Sequence, residues 1–207
     1  YEMLLRRLET KIGSCTAVSG SLYAIRKELC PDFPPAAATD FLSVLETVRR
    51  GFRAISDPRA IARMGTVGCG DEFRRKVRTV LTGVSCMPAM LPLLNPLRYG
   101  LFSLELVSHK LLRWTAGAFL APLLVSNALL IGESPIYKAA MLGQALFGLL
   151  ALAGALSPRL LTGSRAVRYP YFFVCTNLSA LLACWKYARG ERVAIWQPSR
   201  RAEEARV

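Results

Sequence analysis

Residues 13–58, GSCTAVSGSLYAIRKELCPDFPPAAATDFLSVLETVRRGFRAISDP, decide how this chain is read. The stretch from Thr39 to Gly51 has the marks of one complete helix. Thr39 suits an N-cap, Phe41, Leu45 and Val48 recur at helical spacing with Leu42 beside them, and Arg49 and Arg50 fall at the negative end of the dipole. Gly51 suits the left-handed residue that follows a helix. On both sides the pattern changes. Ser21-Leu22-Tyr23-Ala24-Ile25, entered through Ser19-Gly20, reads as a strand. Gly51-Phe52-Arg53-Ala54-Ile55-Ser56 reads as a second, closed by Asp57-Pro58, with a turn at Pro34-Pro35 between the two. The local expectation for this part of the chain is therefore α/β. Asp40 stands in the first helical turn, where a carboxylate is favoured by the dipole whatever else it does.

Composition sets the frame around that stretch. The chain has 207 residues, 53 % of them apolar, a formal net charge of +13 and a mean hydropathy of +0.31. Its basic residues alternate with long apolar runs, the pattern of arginines at the headgroup level of a membrane. No RNA-binding signature or zinc-finger spacing accompanies the charge, so no nucleic-acid partner is expected. The six cysteines form no CxxC pair, which argues against a metal centre, a redox motif or a disulfide framework. Tyr1 falls inside a helical pattern (YEMLLRRLE), and the chain is expected to be the C-terminal portion of a longer protein.

Three apolar stretches, residues 115–131, 139–156 and 171–185, approach the length needed to cross a bilayer, roughly 17 to 20 residues. Trp114, Tyr137, Tyr169, Tyr171, Trp185 and Tyr187 stand where interface anchors belong. Most of the 27 Lys and Arg precede residue 114, which assigns residues 1–113 to the cytoplasmic side of a cell (inner) membrane. The basic tail then falls on the side that rule disfavours. Between these parts, residues 80–114 are apolar runs broken by Pro88, Pro92 and Pro96 and dotted with Arg98, Lys110 and Arg113, which suits helices lying in the interface plane. His109, the single histidine, reads as an interface residue.

The order Ser19-Gly20 and strand, proline turn, acidic helix start and second strand resembles the acceptor-side half of a membrane-bound family 2 glycosyltransferase, similar to the hyaluronan, chitin and cellulose synthases. The resemblance covers residues 1–114 well and the apolar remainder only generically. It implies an α/β fold, the second half of a GT-A domain, over residues 1–79. Interfacial helices over 80–114, transmembrane helices over 115–187 and a basic tail over 188–207 would follow. It also implies transfer from a nucleotide-sugar donor to a glycan or lipid-linked acceptor, with inversion at the anomeric carbon and Asp40 as general base. Gly20, Ser21 and Thr39 would line the acceptor site. In the family a QxxRW motif stands beside the donor diphosphate. Aligned on Arg78, this chain has Arg75 for the Gln and Thr79 for the Trp, so Arg75 and Arg78 become the diphosphate candidates, with Arg74 as a helper. The missing Trp puts long processive polymerisation in doubt. Mg²⁺ or Mn²⁺ is implied as cofactor, with ligands in a DxD motif of the N-terminal half and none in this chain.

Two other classes fit part of the pattern. One is a non-catalytic membrane transporter or scaffold subunit in which Asp40 only serves its helix. The other is a peripheral nucleic-acid-binding protein with a hydrophobic tail.

Overall fold

A computed structural model describes residues 2–30, 32–34, 37–62 and 69–192. Pro35 of the proline turn, the side chains of Asp71 and Glu72, and the tail from residue 193 onward lie outside the described residues. The helices are α1 (Glu2–Ile12), α2 (Thr39–Arg49), α3 (Cys69–Ser85), α4 (Met87–Met90), α5 (Pro96–Tyr99), α6 (Leu101–Leu106), α7 (Leu112–Thr115), α8 (Leu120–Leu129), α9 (Pro135–Leu156), α10 (Pro158–Gly163) and α11 (Arg165–Ala188). Short 3₁₀ turns at Lys27–Leu29, Leu91–Leu94 and Ala116–Phe119 and a π-helical turn at Val107–Leu111 join them. The chain divides into two compact units, residues 1–113 with 183–207 and residues 114–182.

The first unit is built on α2. Phe41, Val44 and Leu45 are almost fully buried, and each is worth about 1.5 to 3 kcal/mol of apolar burial. The helix ends as its sequence dictates: Gly51 takes φ 81°, its N–H bonds Val48 O at 3.0 Å, and the Phe52 N–H bonds Thr47 O at 3.0 Å. That double closure satisfies carbonyls the helix leaves open, and glycine alone enters this backbone region without strain. The start differs from expectation by one residue. Ala38 occupies the cap position without a side-chain bond, and the Asp40 carboxylate accepts from the Phe41 N–H at 2.9 Å instead. Around α2 the core is completed by Leu81 and Val84 of α3, by Met90, Leu93, Phe102 and Leu106, and by the Ser103 hydroxyl, which donates to Leu93 O at 2.7 Å.

The α/β expectation is overturned. Helices make up 73 % of the structure, and no strand or sheet exists among the described residues; the fold is all-α rather than half of a GT-A domain. Residues 21–25 and 51–56 are non-helical, yet they do not pair with each other. They flank a groove of about 750 Å³ whose walls include Tyr23, Ala24 and Ile25 on one side and Phe52, Ala54 and Ile55 on the other. Extended chain becomes strand only when its N–H and C=O groups meet a ladder partner. Only one turn-like bridge, Ser19 with Leu22, forms here. The second segment is held by other means. Cys15 N–H donates to Ala54 O at 2.8 Å, the Ser14 hydroxyl accepts from Ala54 N–H at 2.9 Å, and Arg53 donates to Gly13 O at 2.7 Å and to Thr10 O at 2.6 Å. Arg53 thereby closes the C-terminal turn of α1.

In the second unit, α9 is 22 residues long with a mean hydropathy of 1.9, long and apolar enough to cross a membrane. Among the described residues it is the one single helix that qualifies; α3 and the run Met87–Leu94 pass together as a pair bent by 48°. The first apolar stretch fails because it is divided. Pro122 has no N–H to bond the Ala118 carbonyl, so Ala116–Phe119 winds as a 3₁₀ turn and leaves α8 with 10 residues, about 15 Å of rise against a hydrocarbon core of about 30 Å. The third stretch lies in α11, which is long enough but diluted by Thr176, Asn177 and three tyrosines. Close approach inside the unit occurs at small residues. A Cβ at Gly154 would meet Val167 and Tyr171 at 3.0 Å, and one at Gly117 would meet Asn177 O and Leu181 at 3.0 Å. Asn127, almost fully buried, donates to Gln144 Oε1 at 3.1 Å.

Candidate functional site

The residue pair that the structure brings together is Gly20 and Asp40. Gly20 sits in the turn between Ser19 and Leu22; a Cβ built on it would lie 3.0 Å from Asp40 Oδ2, 3.6 Å from its Cγ and 3.8 Å from its Cβ. The carboxylate is thus split in its duties. Oδ1 shares the Phe41 N–H with the Ala38 carbonyl, while Oδ2 lies against Gly20, where a side chain would crowd it. Asp40 is half-buried and Gly20 exposed.

Ser21, with its N–H on the Ser19 hydroxyl at 3.4 Å, and Thr39, next to Asp40 in sequence, are both exposed beside this pair. Thr39 contributes its carbonyl to the Ser43 hydroxyl at 2.6 Å, a bond within the helix. Arg75 and Arg78 stand half-exposed on α3, whose Val77, Leu81 and Val84 are buried, and Arg74 is exposed. Asp57 is engaged by Arg59, which donates at 2.8 to 3.2 Å and holds the carboxyl at about 2, below the ordinary range; it belongs to its own turn. Among the described residues no group of three or more His, Cys, Asp or Glu side chains is placed to hold a metal ion. The resemblance assigns no ligand of its divalent metal to this chain, and no step is derived through one.

Two residues read from sequence as lying at the membrane interface make contacts within the first unit. The π-helical turn carries His109 and Lys110 inward. His109 Nδ1 lies 2.6 Å from Glu9 Oε1, and Glu9, almost fully buried, also accepts from the Thr16 N–H and hydroxyl, each at 3.2 Å. The Lys110 ammonium sits 4.9 Å from the centre of the Phe41 ring. Burial pushes its pKa down, as does Arg113, while Asp40 and Glu9 pull it back up. Cys86, at the end of α3, is buried and feels Asp40 and Lys110 as well; burial raises its pKa. The signal for these residues was in the sequence, two polar side chains together inside a leucine-rich run, but nothing local connects them to a helix start 70 residues earlier.

Two grooves lie elsewhere: that between residues 21–25 and 51–56, and one of about 620 Å³ lined by Arg6, Cys15, Leu22, Ile55 and Asp57; neither includes Gly20 or Asp40. Comparison of the chain with family models, with curated proteins and with solved structures returned no match.

Proposed function

We propose that this chain is part of a membrane-bound sugar transferase, with Asp40 as the general base that prepares the acceptor. The observation that supports it is the Gly20–Asp40 approach, in which Oδ2 lies against a glycine. In the proposed step Oδ2 takes the proton of an acceptor hydroxyl. That oxygen attacks the anomeric carbon of a nucleotide sugar, the bond to the diphosphate breaks with inversion, and the nucleoside diphosphate leaves with the electron pair. Hydrogen-bond reach between carboxylate and hydroxyl is the geometric requirement. Ser21 and Thr39 are proposed to border the acceptor, which is a glycan or a lipid-linked sugar. Arg75 and Arg78 are proposed to neutralise the diphosphate by paired hydrogen bonds. The reading rests on this site and its local sequence, and not on a sheet.

A membrane location agrees with α9, whose Leu142, Leu146, Leu149 and Leu156 are all more than half exposed. Such a surface is unfavourable in water and favourable in lipid. We propose an integral protein of the cell (inner) membrane with residues 1–113 on the cytoplasmic side.

The Oδ1 bond to Phe41 N–H favours a second reading, a membrane transporter or scaffold in which Asp40 merely serves α2. Asp40→Asn separates the two, because asparagine keeps that bond and loses the basic oxygen. The test uses the full-length protein in membranes with labelled nucleotide sugars. Loss of transfer by a factor of 100 or more (about 10²–10⁴ for a general base) at unchanged expression supports the base. Unchanged transfer refutes it.

A further inference from the structure

Helix α1 carries its side chains in an inverted arrangement. Its Glu9 is buried, with Oε1 against His109 Nδ1 at 2.6 Å and accepting from the Thr16 hydroxyl at 3.2 Å. Its Leu4, Leu8 and Ile12 are 58 %, 45 % and 59 % exposed. Spaced four apart, these three form one row along the helix. An amphipathic helix on a protein in water buries its apolar row and turns its carboxylates out. A single exposed leucine is ordinary, whereas an ordered row beside a buried glutamate marks a surface that something apolar covers.

The row continues past the end of α1. Ile12 shares a shallow cleft of about 310 Å³ with Tyr99 and Leu101. Helix α6 is divided there: Phe102 and Leu106 are buried, while Leu101 and Leu104, one turn apart, are each 57 % exposed. The charges along this surface have one sign. Arg7 and Lys11 are exposed three residues after Leu4 and Leu8, and Arg98 is exposed with its guanidinium 5.3 Å from the centre of the Tyr99 ring. Glu9 and Glu105 Oε2 are buried, and no carboxylate lines the cleft. Leucines bordered by basic residues, with a tyrosine under an arginine, are the composition of elements that lie in a headgroup layer. At residue 114 the chain passes into the unit that holds α9. A bilayer crossed by α9 is therefore kept at high local concentration by covalent connection.

We propose that α1 and the exposed side of α6 form a docking surface for an anionic lipid leaflet. Leu4, Leu8, Ile12, Leu101 and Leu104 enter the acyl boundary, and Arg7, Lys11 and Arg98 meet lipid phosphates. The inference rests on the membrane location of α9 and is independent of Asp40. It also narrows the interfacial expectation over residues 80–114: α3 turns Leu81 and Val84 into the core, and the lipid-facing part is the outer side of α6 joined to a helix from the start of the chain.

The test is photolabelling of the full-length protein, reconstituted in phosphatidylcholine vesicles with or without phosphatidylglycerol, by a phospholipid carrying a diazirine on its acyl chain. Labelled peptides are mapped by mass spectrometry, with α9 as the internal standard and α2 as the background. In vesicles with phosphatidylglycerol, α1 and α6 should label well above α2. Without the anionic lipid, or at high salt, their labelling should fall at least fivefold, since each basic residue at such a surface contributes about fivefold in binding. Labelling of α9 should stay the same. Leu4→Gln with Leu8→Gln keeps good helix formers at both positions and should lower labelling of α1 and α6 together by at least fivefold. Background labelling of α1 and α6 beside a labelled α9 overturns this proposal alone, and assigns the row to a protein partner or a second copy. So does labelling that ignores lipid charge and salt, or that survives the double substitution. An unlabelled α9 overturns the membrane location, and this proposal with it.

Discussion

Gly20→Ala is the smallest perturbation that separates the site from the fold. The added Cβ would stand 3.0 Å from Asp40 Oδ2, so the carboxylate must give by a few tenths of an ångström. It cannot swing freely, because Oδ1 is held by the Phe41 N–H. A misplacement of about 1 Å at a reacting group costs on the order of 10²-fold in rate. A few tenths then correspond to a loss of about three- to tenfold in kcat/KM, or roughly 0.7 to 1.4 kcal/mol. Stability should move the other way or not at all. Gly20 does not adopt a positive φ, and alanine at a compatible glycine stabilises by about 0.4 to 1 kcal/mol through the unfolded chain. The assay is transfer of labelled sugar in membranes at matched expression, with thermal unfolding of the purified protein beside it. The Gly20→Ala change is also made in the Asp40→Asn background, where it should cause no further loss, because the two residues act as one unit. Wild-type kcat/KM in Gly20→Ala would refute the reasoning, and so would an additive loss in the double variant.

Glu105 and the second unit give two further outcomes. Burial, and then Glu9, raise the Glu105 pKa above its ordinary value, and Oε2 is buried without a partner. A raised carboxyl pKa means the folded state holds its proton more tightly, so the contribution is present below the ordinary value and is lost as pH rises through the folded one. Glu105→Gln should therefore raise Tm at pH 7, with the gain vanishing below about pH 4, near the ordinary carboxyl range, as measured by thermal scans across pH. Asn127→Leu should strand Gln144 and lower stability by about 0.6 to 2 kcal/mol. Adding Gln144→Leu should recover most of it, read by unfolding of the detergent-solubilised protein.

How far the sequence could be read depends on the reach of each interaction. Helix α2 was legible because everything that defines it lies within 13 residues: the apolar spacing, the terminal arginines and Gly51. Residues 21–25 and 51–56 had the composition of strands, but a strand is completed by a ladder of partners chosen from anywhere in the chain, and among the described residues they find only the Ser19–Leu22 bridge and single bonds such as Cys15–Ala54. Asp40 and Gly20 were legible as a pair only through the resemblance, because they stand 20 positions apart in the sequence. The contacts of Lys110 and Glu9 were not legible, since a charge inside a leucine run reads as snorkelling until the fold shows which way it turns. Spanning length failed at a single residue. Hydropathy over 115–131 counts Pro122 as nearly neutral, whereas its missing N–H divides the run.

Arg53 has a consequence for the order in which the first unit assembles. Its guanidinium reaches carbonyls at Thr10 and Gly13, and the Ser14–Ala54 contacts lie beside it, all across sequence separations of 40 to 43 residues. Closing a loop of that size costs chain entropy before any contact rewards it. Helix α2, whose own contacts are local, is free to form first and to present Phe41, Val44 and Leu45 as a template. Helix α1 gains its last turn only when residue 53 arrives. In pulse-labelling hydrogen exchange the α2 amides should be protected early, and the amides of Cys15 and Ala54 late and together, as one clasp closing.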